Sequence, residues 1–150
     1  MNVADIGSAI ATRFAAVVAP TNYTAIQKST SQRQKGAGKL PMVVVTWMGT
    51  RDLEYGYGRR KGVADFSARF YYSQAADDAA TDAALQAWHD KLVDALLGQI
   101  MLGEAATANG VTGAYVRAVI PGEAKLGEPN YAVLQVAVEV EFTHAVTFAA

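Results

Sequence analysis

The 150-residue chain contains no cysteine. Disulfides, thiolate metal sites and a cysteine nucleophile are therefore excluded, and a reducing cytoplasm fits that absence. There are two histidines, His89 and His144, on different predicted elements. Neither has a second histidine or a carboxylate at a recognised ligand spacing, and Asp90 beside His89 is expected to face elsewhere on a helix. No apolar run approaches the roughly 20 residues that a membrane-spanning helix needs. The Ala/Val-rich N-terminal passage has Asp5 and Arg13 around it and no basic stretch before it, so it does not read as a signal peptide. These absences give the expectation of a soluble protein that stays where it is made, without metal, cofactor or membrane partner.

Catalytic signatures are missing as well. Gly36-Ala37-Gly38-Lys39 ends like a phosphate-binding P-loop, but Arg33 occupies the position of the required first glycine and Leu40 that of the magnesium-binding Ser or Thr. Gly56-Tyr57-Gly58 with Gly62 has the wrong spacing for a dinucleotide fingerprint, and a strand-like segment follows where a helix should. Both clusters read as ordinary turn glycines. No serine or threonine sits in a nucleophile-elbow sequence. The paired carboxylates Glu139 and Glu141 share one face of a strand, where solvated or interface roles are commoner than acid–base catalysis. The expectation is a protein that is not an enzyme.

With 51% hydrophobic residues, the chain is long and apolar enough for one domain, residues 1–150, around a real core. Its clearest element is Asn130 to Phe142. Leu134, Val136, Val138, Val140 and Phe142 alternate with the wet positions Gln135, Glu139 and Glu141, a period of two that defines a strand with one buried face. Val63 to Tyr72 alternates likewise, with Ala64, Phe66, Ala68, Phe70 and Tyr72 opposite Asp65, Ser67 and Arg69. Leu53 to Gly58 precedes it, and the two are expected to form an antiparallel hairpin turning at Arg59, Arg60, Lys61 and Gly62. Pro41 to Met48 is apolar on both faces, so it is either a central strand or one whose outer face meets another chain. A strand from about Ala114 to Ile120 follows a loop at Ala108-Asn109-Gly110, and Pro121-Gly122 is expected to turn the chain.

Helical spacing appears twice. Val3, Ile6, Ile10, Phe14 and Val17 recur at three- and four-residue steps, with Asn2 or Asp5 as candidate cap and Pro20 closing the segment. Leu85, Trp88, Leu92, Leu96 and then Ile100 line a second helix that begins near Asp77 or Asp78 and ends at Gly98 or Gly103. On another face of that helix Asp78, Asp82, Gln86, Asp90 and Asp94 form an acidic ridge. The fold class that follows is α+β: an antiparallel sheet of about four to five strands with two helices packed on one face. Between Thr21 and Leu40 the pattern fails. A short strand at Tyr23 to Gln27 is conceivable, but residues 28–40 read as a long, mobile basic arm, of a length seldom kept structureless unless it binds something.

The formal charge of −1 conceals a polarised chain. Residues 28–61 carry eight cations (Lys28, Arg33, Lys35, Lys39, Arg51, Arg59, Arg60 and Lys61) against Asp52 and Glu54, whereas residues 62–150 carry four cations against eleven carboxylates. Three readings of the basic set stay open. It is a solvated loop surface, it attracts a nearby phosphate backbone without sequence preference, or it meets the acidic ridge of another copy. Aromatics that would stack bases are sparse near the arm, which disfavours specific nucleic-acid recognition. A head-to-tail contact between opposite charges closes into a ring when the rotation allows.

The helix ADIGSAIATRFAAVV, the basic arm, the hairpin ending in ADFSARFYYS, the helix DAALQAWHDKLVDALL and the closing strands GAYVRAVIP and YAVLQVAVEVEF follow one another in an order that resembles the tail terminator, or tail-completion, proteins of long-tailed bacteriophages. The resemblance spans nearly the whole chain as an order of elements and contains no catalytic motif. It implies an α+β virion subunit, assembled in the host cytoplasm, that forms a hexameric ring on the last ring of the tail tube, stops its growth and presents a surface to the head–tail connector. Sheets in that family lie toward the interior of the ring, and loops reach the neighbouring subunit or the tube. Carried over, this makes Lys28, Arg33, Lys35, Lys39, Arg59, Arg60 and Lys61 candidate neighbour or tube contacts, with Asp82, Asp90 and Asp94 as their acidic counterpart and Met42 to Met48 as a subunit interface. The amount of positive charge in the arm departs from the family and leaves neighbour, tube and channel DNA as alternative contacts. Other readings are a different neck or tail-tube subunit, or a small ligand-binding module with its site near Trp47 or Trp88.

Overall fold

The computed structural model describes residues 2–36, 38–56, 58–74, 78–97, 102–103 and 109–145. Helix α1 spans Val3–Ala15 because Asn2 caps it, its side-chain oxygen accepting the amides of Ala4 and Asp5 at 3.0 and 3.3 Å. Asp5 in the first turn and Arg13 in the last suit the helix dipole. Ile6, Ile10 and Phe14 are fully buried, as the spacing requires. Helix α2 spans Ala79–Val93 and is capped by Asp78, which accepts the Thr81 amide at 2.7 Å. Its stripe of Leu85, Trp88 and Leu92, with Leu96 just beyond, is buried. The helix stops at Val93, short of both glycines expected to end it. Asp77, Gly98, Ile100 and Ala108 lie outside the described residues.

Five strands form one sheet: β1 Lys28–Thr30, β2 Met42–Gly56, β3 Arg59–Gln74, β4 Val111–Lys125 and β5 Asn130–Ala145. Their order is β1-β2-β3-β5-β4, with β1 parallel to β2 and every other pair antiparallel. The two alternating rows lie side by side at the centre. Phe70 pairs with Leu134, Ala68 with Val136, Phe66 with Val138 and Ala64 with Val140. Both helices cover that row, α1 against β1 and β2 and α2 against β4 and β5. The result is an α+β fold with both helices on one face. Trp88 sits at the middle of this core with its ring 4.7 Å from that of Phe70.

In the sheet and the arm the structure departs from the sequence reading, beginning with β2, which is one strand where two, at Pro41 to Met48 and Leu53 to Gly58, are expected. The chain reverses between Gly56 and Arg59, where Gly58 takes φ +71°, and Arg59, Arg60 and Lys61 already belong to β3, paired with Gly56, Tyr55 and Glu54. Strand β4 runs straight through Pro121 and Gly122 to Lys125, and the turn falls at residues 126–129. Proline is tolerated there because β4 is an edge strand. The short strand before β2 is Lys28–Thr30, and Tyr23 to Gln27 forms none. Finally, the arm is docked in part. Ser29 Oγ donates to the Ala11 carbonyl at 2.6 Å, and a Cβ placed on Gly127 would fall 2.9 Å from the carbonyl oxygen of Lys35, so the arm backbone lies against the β4–β5 turn.

That docking explains the two-faced apolarity of β2. Val43 and Val45 join the core under the helices. Met42 and Val44 point to the other face, where they form a second cluster with Tyr71, Tyr131 and Val133, and Leu40, Ala124 and Leu126 pack against it. The outer face of this stretch is thus covered by the chain's own arm and the β4–β5 turn. Trp47 and Met48, just past it, are exposed.

Candidate assembly surface

The face of the sheet opposite the helices divides into two zones. At the end near the arm, Arg33, Gln34, Arg69, Tyr71 and Lys125 line a cleft of about 370 Å³ that reaches Trp47 at the free edge of β2. Three cations from three separate elements meet there. Register places Arg69 on the open face, opposite Val44 and Gln135. Lys28, whose ammonium donates to Gln34 at 2.8 Å, lies close by in sequence, and Lys35 and Lys39 are exposed on the same arm. No carboxylate lines the cleft, so its field is positive and suited to an anionic side chain or phosphate.

Arg59, Arg60 and Lys61 are not part of this zone. Twelve residues of strand separate Arg59 from Tyr71, roughly 40 Å at the usual rise, so the arm cations and Arg59, Arg60 and Lys61 lie toward opposite ends of the sheet, with Arg51 between them. Lys61 is paired with Glu54 at 2.9 Å. Arg60 turns to the helix side, where its guanidinium donates to His144 Nε2 at 3.0 Å. Burial and the positive charges around it, Arg60 among them, hold the His144 pKa below its ordinary value. The imidazole is accordingly a neutral acceptor.

Between the two zones lies a charge network. Arg51 bonds to Asp65 at 2.9 Å, to Asp52 at 2.7 Å and to Glu139 at 2.6 Å, and Arg117 bonds to the other oxygen of Glu139 at 2.9 Å while lying over the Tyr115 ring. The hydrogen bond that Arg51 donates to Asp65 leads the causes that raise the Arg51 pKa. Glu139 therefore acts as a bridge between edge strand β4 and strand β2, across β3 and β5. Neither residue of the pair Glu139/Glu141 is poised as an acid and base: Glu139 is engaged by two guanidinium groups and Glu141 is exposed.

The acidic side of the molecule is α2. Asp82, Asp90 and Asp94 are exposed, as the helical spacing implied. Asp94 is the C-cap and shares a groove of about 410 Å³ with Arg13 and Lys91, which offset its charge. His89 Nδ1 lies 3.0 Å from Asp90 Oδ1, so the neighbouring carboxylate does reach this histidine, contrary to the expectation from helical spacing. Both groups are exposed and the contact is a local surface pair. A second cleft of about 310 Å³ opens between α2 and the opposite edge of the sheet, with Leu85, Leu134 and Pro121 as apolar floor and Asp82, Gln86 and His89 as rim.

Trp88, one of the two tryptophans considered for a ligand site, is fully buried, whereas Trp47 is 50% exposed. The stretch that begins there is the residue set the charge reading missed: Trp47, Met48, Leu53 and Tyr55 are 50, 64, 45 and 66% exposed, all on β2. β1 pairs only with Met42–Val44, so beyond Val44 the outer side of β2 has no strand partner among the described residues. Four large apolar groups along one free edge are the mark of a protein-contact surface. The apolar signal of Met42 to Met48 was visible in the sequence; that only Trp47 and Met48 of it stay uncovered depends on the arm.

Among the described residues no cluster of three or more His, Asp or Glu side chains could hold a metal ion, and no helix is long and apolar enough to cross a membrane. Compared with known protein families and curated proteins, the chain matches no family model and no curated sequence.

Proposed function

We propose that this protein is a structural subunit of a bacteriophage tail, a tail terminator that assembles with copies of itself into a ring, hexameric in the family it resembles, on the end of the tail tube and joins it to the head–tail connector. The observation that supports this reading is the placement of unlike surfaces on opposite edges of one sheet. The free edge of β2 carries exposed apolar groups beside a basic cleft, and the other edge lies beneath an acidic helix. Such surfaces are not self-complementary across a two-fold axis; they complement one another head to tail, which is the geometry of rings and filaments. The proposal assigns the protein no catalysis. Arg33, with Arg69 and Lys125, contacts the neighbouring subunit or the tube, and the remaining arm cations contribute to the same field.

Negative-stain electron microscopy of the purified protein, with and without preformed tail tubes, tests it. Single rings, or caps at one end of the tubes, are expected. Long polymers would instead make the protein a tube or other neck subunit, the second reading. Monomers that ignore the tubes would remove the tail role and turn attention to the cleft under α2 as a small-ligand site. Replacing Lys28, Arg33, Lys35 and Lys39 together by glutamine is expected to weaken assembly without lowering the thermal midpoint, because all four side chains are exposed. Unchanged sedimentation of that variant would leave the arm without a role in the contact.

A further inference from the structure

We infer that the contact between copies is a knob in a cleft: Trp47 and Met48 of one subunit seat in the cleft between α2 and β4 of the next. The inference rests on the self-assembly reading above and specifies its interface. Backbone pairing between edges is the obvious alternative, and both edges are built against it. Strand β2 is bulged between Trp47 and Gly49 and again between Arg51 and Glu54, while β4 is bulged at two places and carries Pro121. Bulges and proline interrupt the ladder that a second strand would need. What the β2 edge offers instead is side chains. Trp47 and Met48 project at the first bulge, 50 and 64% exposed, next to the cations Arg33, Arg69 and Lys125.

The opposite edge has the matching shape and sign. The cleft beneath α2 has an apolar floor of Leu85, Leu134 and Pro121 and about 310 Å³ of space, room for an indole ring or a thioether chain. Its rim carries Asp82, with Asp90 exposed two turns further along the helix. Seating the knob would bring the basic groups around Trp47 against this acidic helix, so apolar fit and charge favour the same orientation. Because knob and cleft lie on opposite edges of one sheet, each subunit uses both and the contact propagates in one direction.

The test uses two full-length variants. Trp47→Ala with Met48→Ala removes the knob, and Asp82→Lys with Gln86→Arg reverses and crowds the rim of the cleft. Asp82 and Gln86 are exposed on α2 and Trp47 and Met48 are exposed on β2, and circular dichroism checks that both variants stay folded. Each variant alone is expected to lose self-association by about a hundredfold or more in sedimentation velocity. Mixed, they are expected to form one-to-one dimers and nothing larger, since one intact cleft and one intact knob remain. Wild-type protein that is monomeric throughout would overturn the self-assembly reading itself. Wild-type assembly with both variants still assembling, or a mixture that stays monomeric, would overturn the knob-in-cleft contact alone. The lack of native cysteine allows an independent check in the otherwise unaltered chain. Oxidising a mixture of Met48→Cys and Gln86→Cys proteins is expected to give mainly the mixed disulfide, and a statistical distribution of homodimers and heterodimers would count against the contact.

Discussion

The two faces of the sheet are made from the same strands and differ in almost every other respect. Under the helices, Ala64, Phe66, Ala68, Phe70, Leu134, Val136, Val138, Val140 and Phe142 form one dry row with nothing polar between them. On the reverse, the same strands present Asp65, Arg69, Gln135, Glu139 and Glu141, and the apolar cluster there sits at the end beneath the arm. The period of two makes this separation possible, because each residue commits to one face. The covered face holds the fold together. The open face is free to carry charge, and its groups are organised into a network and a cleft without being needed for burial.

The largest expected effect tests the covered face. Trp88→Ala should cost about 3–5 kcal/mol, the usual range for deleting a buried aromatic, and should lower the urea midpoint accordingly. Trp88→Phe sharpens the point. Among the described residues the Trp88 indole nitrogen has no hydrogen-bond partner, and an unpaired buried donor costs about 1–3 kcal/mol. Phenylalanine loses volume but removes that donor, so the two changes partly offset and the variant should lie much nearer wild type than the alanine variant. A Trp88→Phe protein as unstable as Trp88→Ala would mean that the indole nitrogen is satisfied.

The open face should respond differently. Glu139→Gln keeps the shape of the side chain and removes the charge that joins Arg51 to Arg117. Exposed ion pairs contribute little to stability, so the midpoint should move far less than with Trp88→Ala. A double-mutant cycle between Arg51→Met and Glu139→Gln should still show coupling, because the two groups meet at 2.6 Å. A loss of stability comparable to Trp88→Ala would erase the distinction between the faces.

Much of this division was legible in the sequence, and the exceptions have common causes. The alternating rows at 64–72 and 134–142, the α2 stripe and the Asn2 cap are local patterns that report local conformation. Lys28–Thr30 is polar and three residues long, and it is a strand only because Met42–Val44 lies beside it. Pro121 looked like a turn because its missing N–H is harmless only on an edge strand, and strand order is not a local property. The sequence puts the cations of residues 59–61 at a tip because the glycines on both sides of them suit turns equally; Gly58, at φ +71°, is the one that takes the turn. The basic cleft was invisible for a related reason. Arg33, Arg69 and Lys125 are far apart in sequence, and only the arm crossing to the β4–β5 turn brings them together.

The smallest expected effect lies at the margin where the dry row ends. Beyond Phe142 the helix-side positions become Arg60 and His144, paired at 3.0 Å with the imidazole accepting. Burial first, and then the positive charges nearby, Arg60 among them, hold the His144 pKa below the ordinary 6.5, and protonating His144 would replace that hydrogen bond by two like charges in contact. A histidine with a depressed pKa binds fewer protons folded than unfolded. Its contribution to stability is therefore complete above about 6.5 and is lost as pH falls from there toward the folded-state value. Asp78 does not blur this window. The Thr81 amide holds its carboxylate below the usual 3.8, so its contribution is lost only in stronger acid. Thermal midpoints measured across the weakly acidic range should thus fall for wild type and stay flatter for His144→Gln, whose amide oxygen can still accept from Arg60 at any pH. Equal slopes for the two proteins would place the acid sensitivity elsewhere and show that the covered face ends at Phe142.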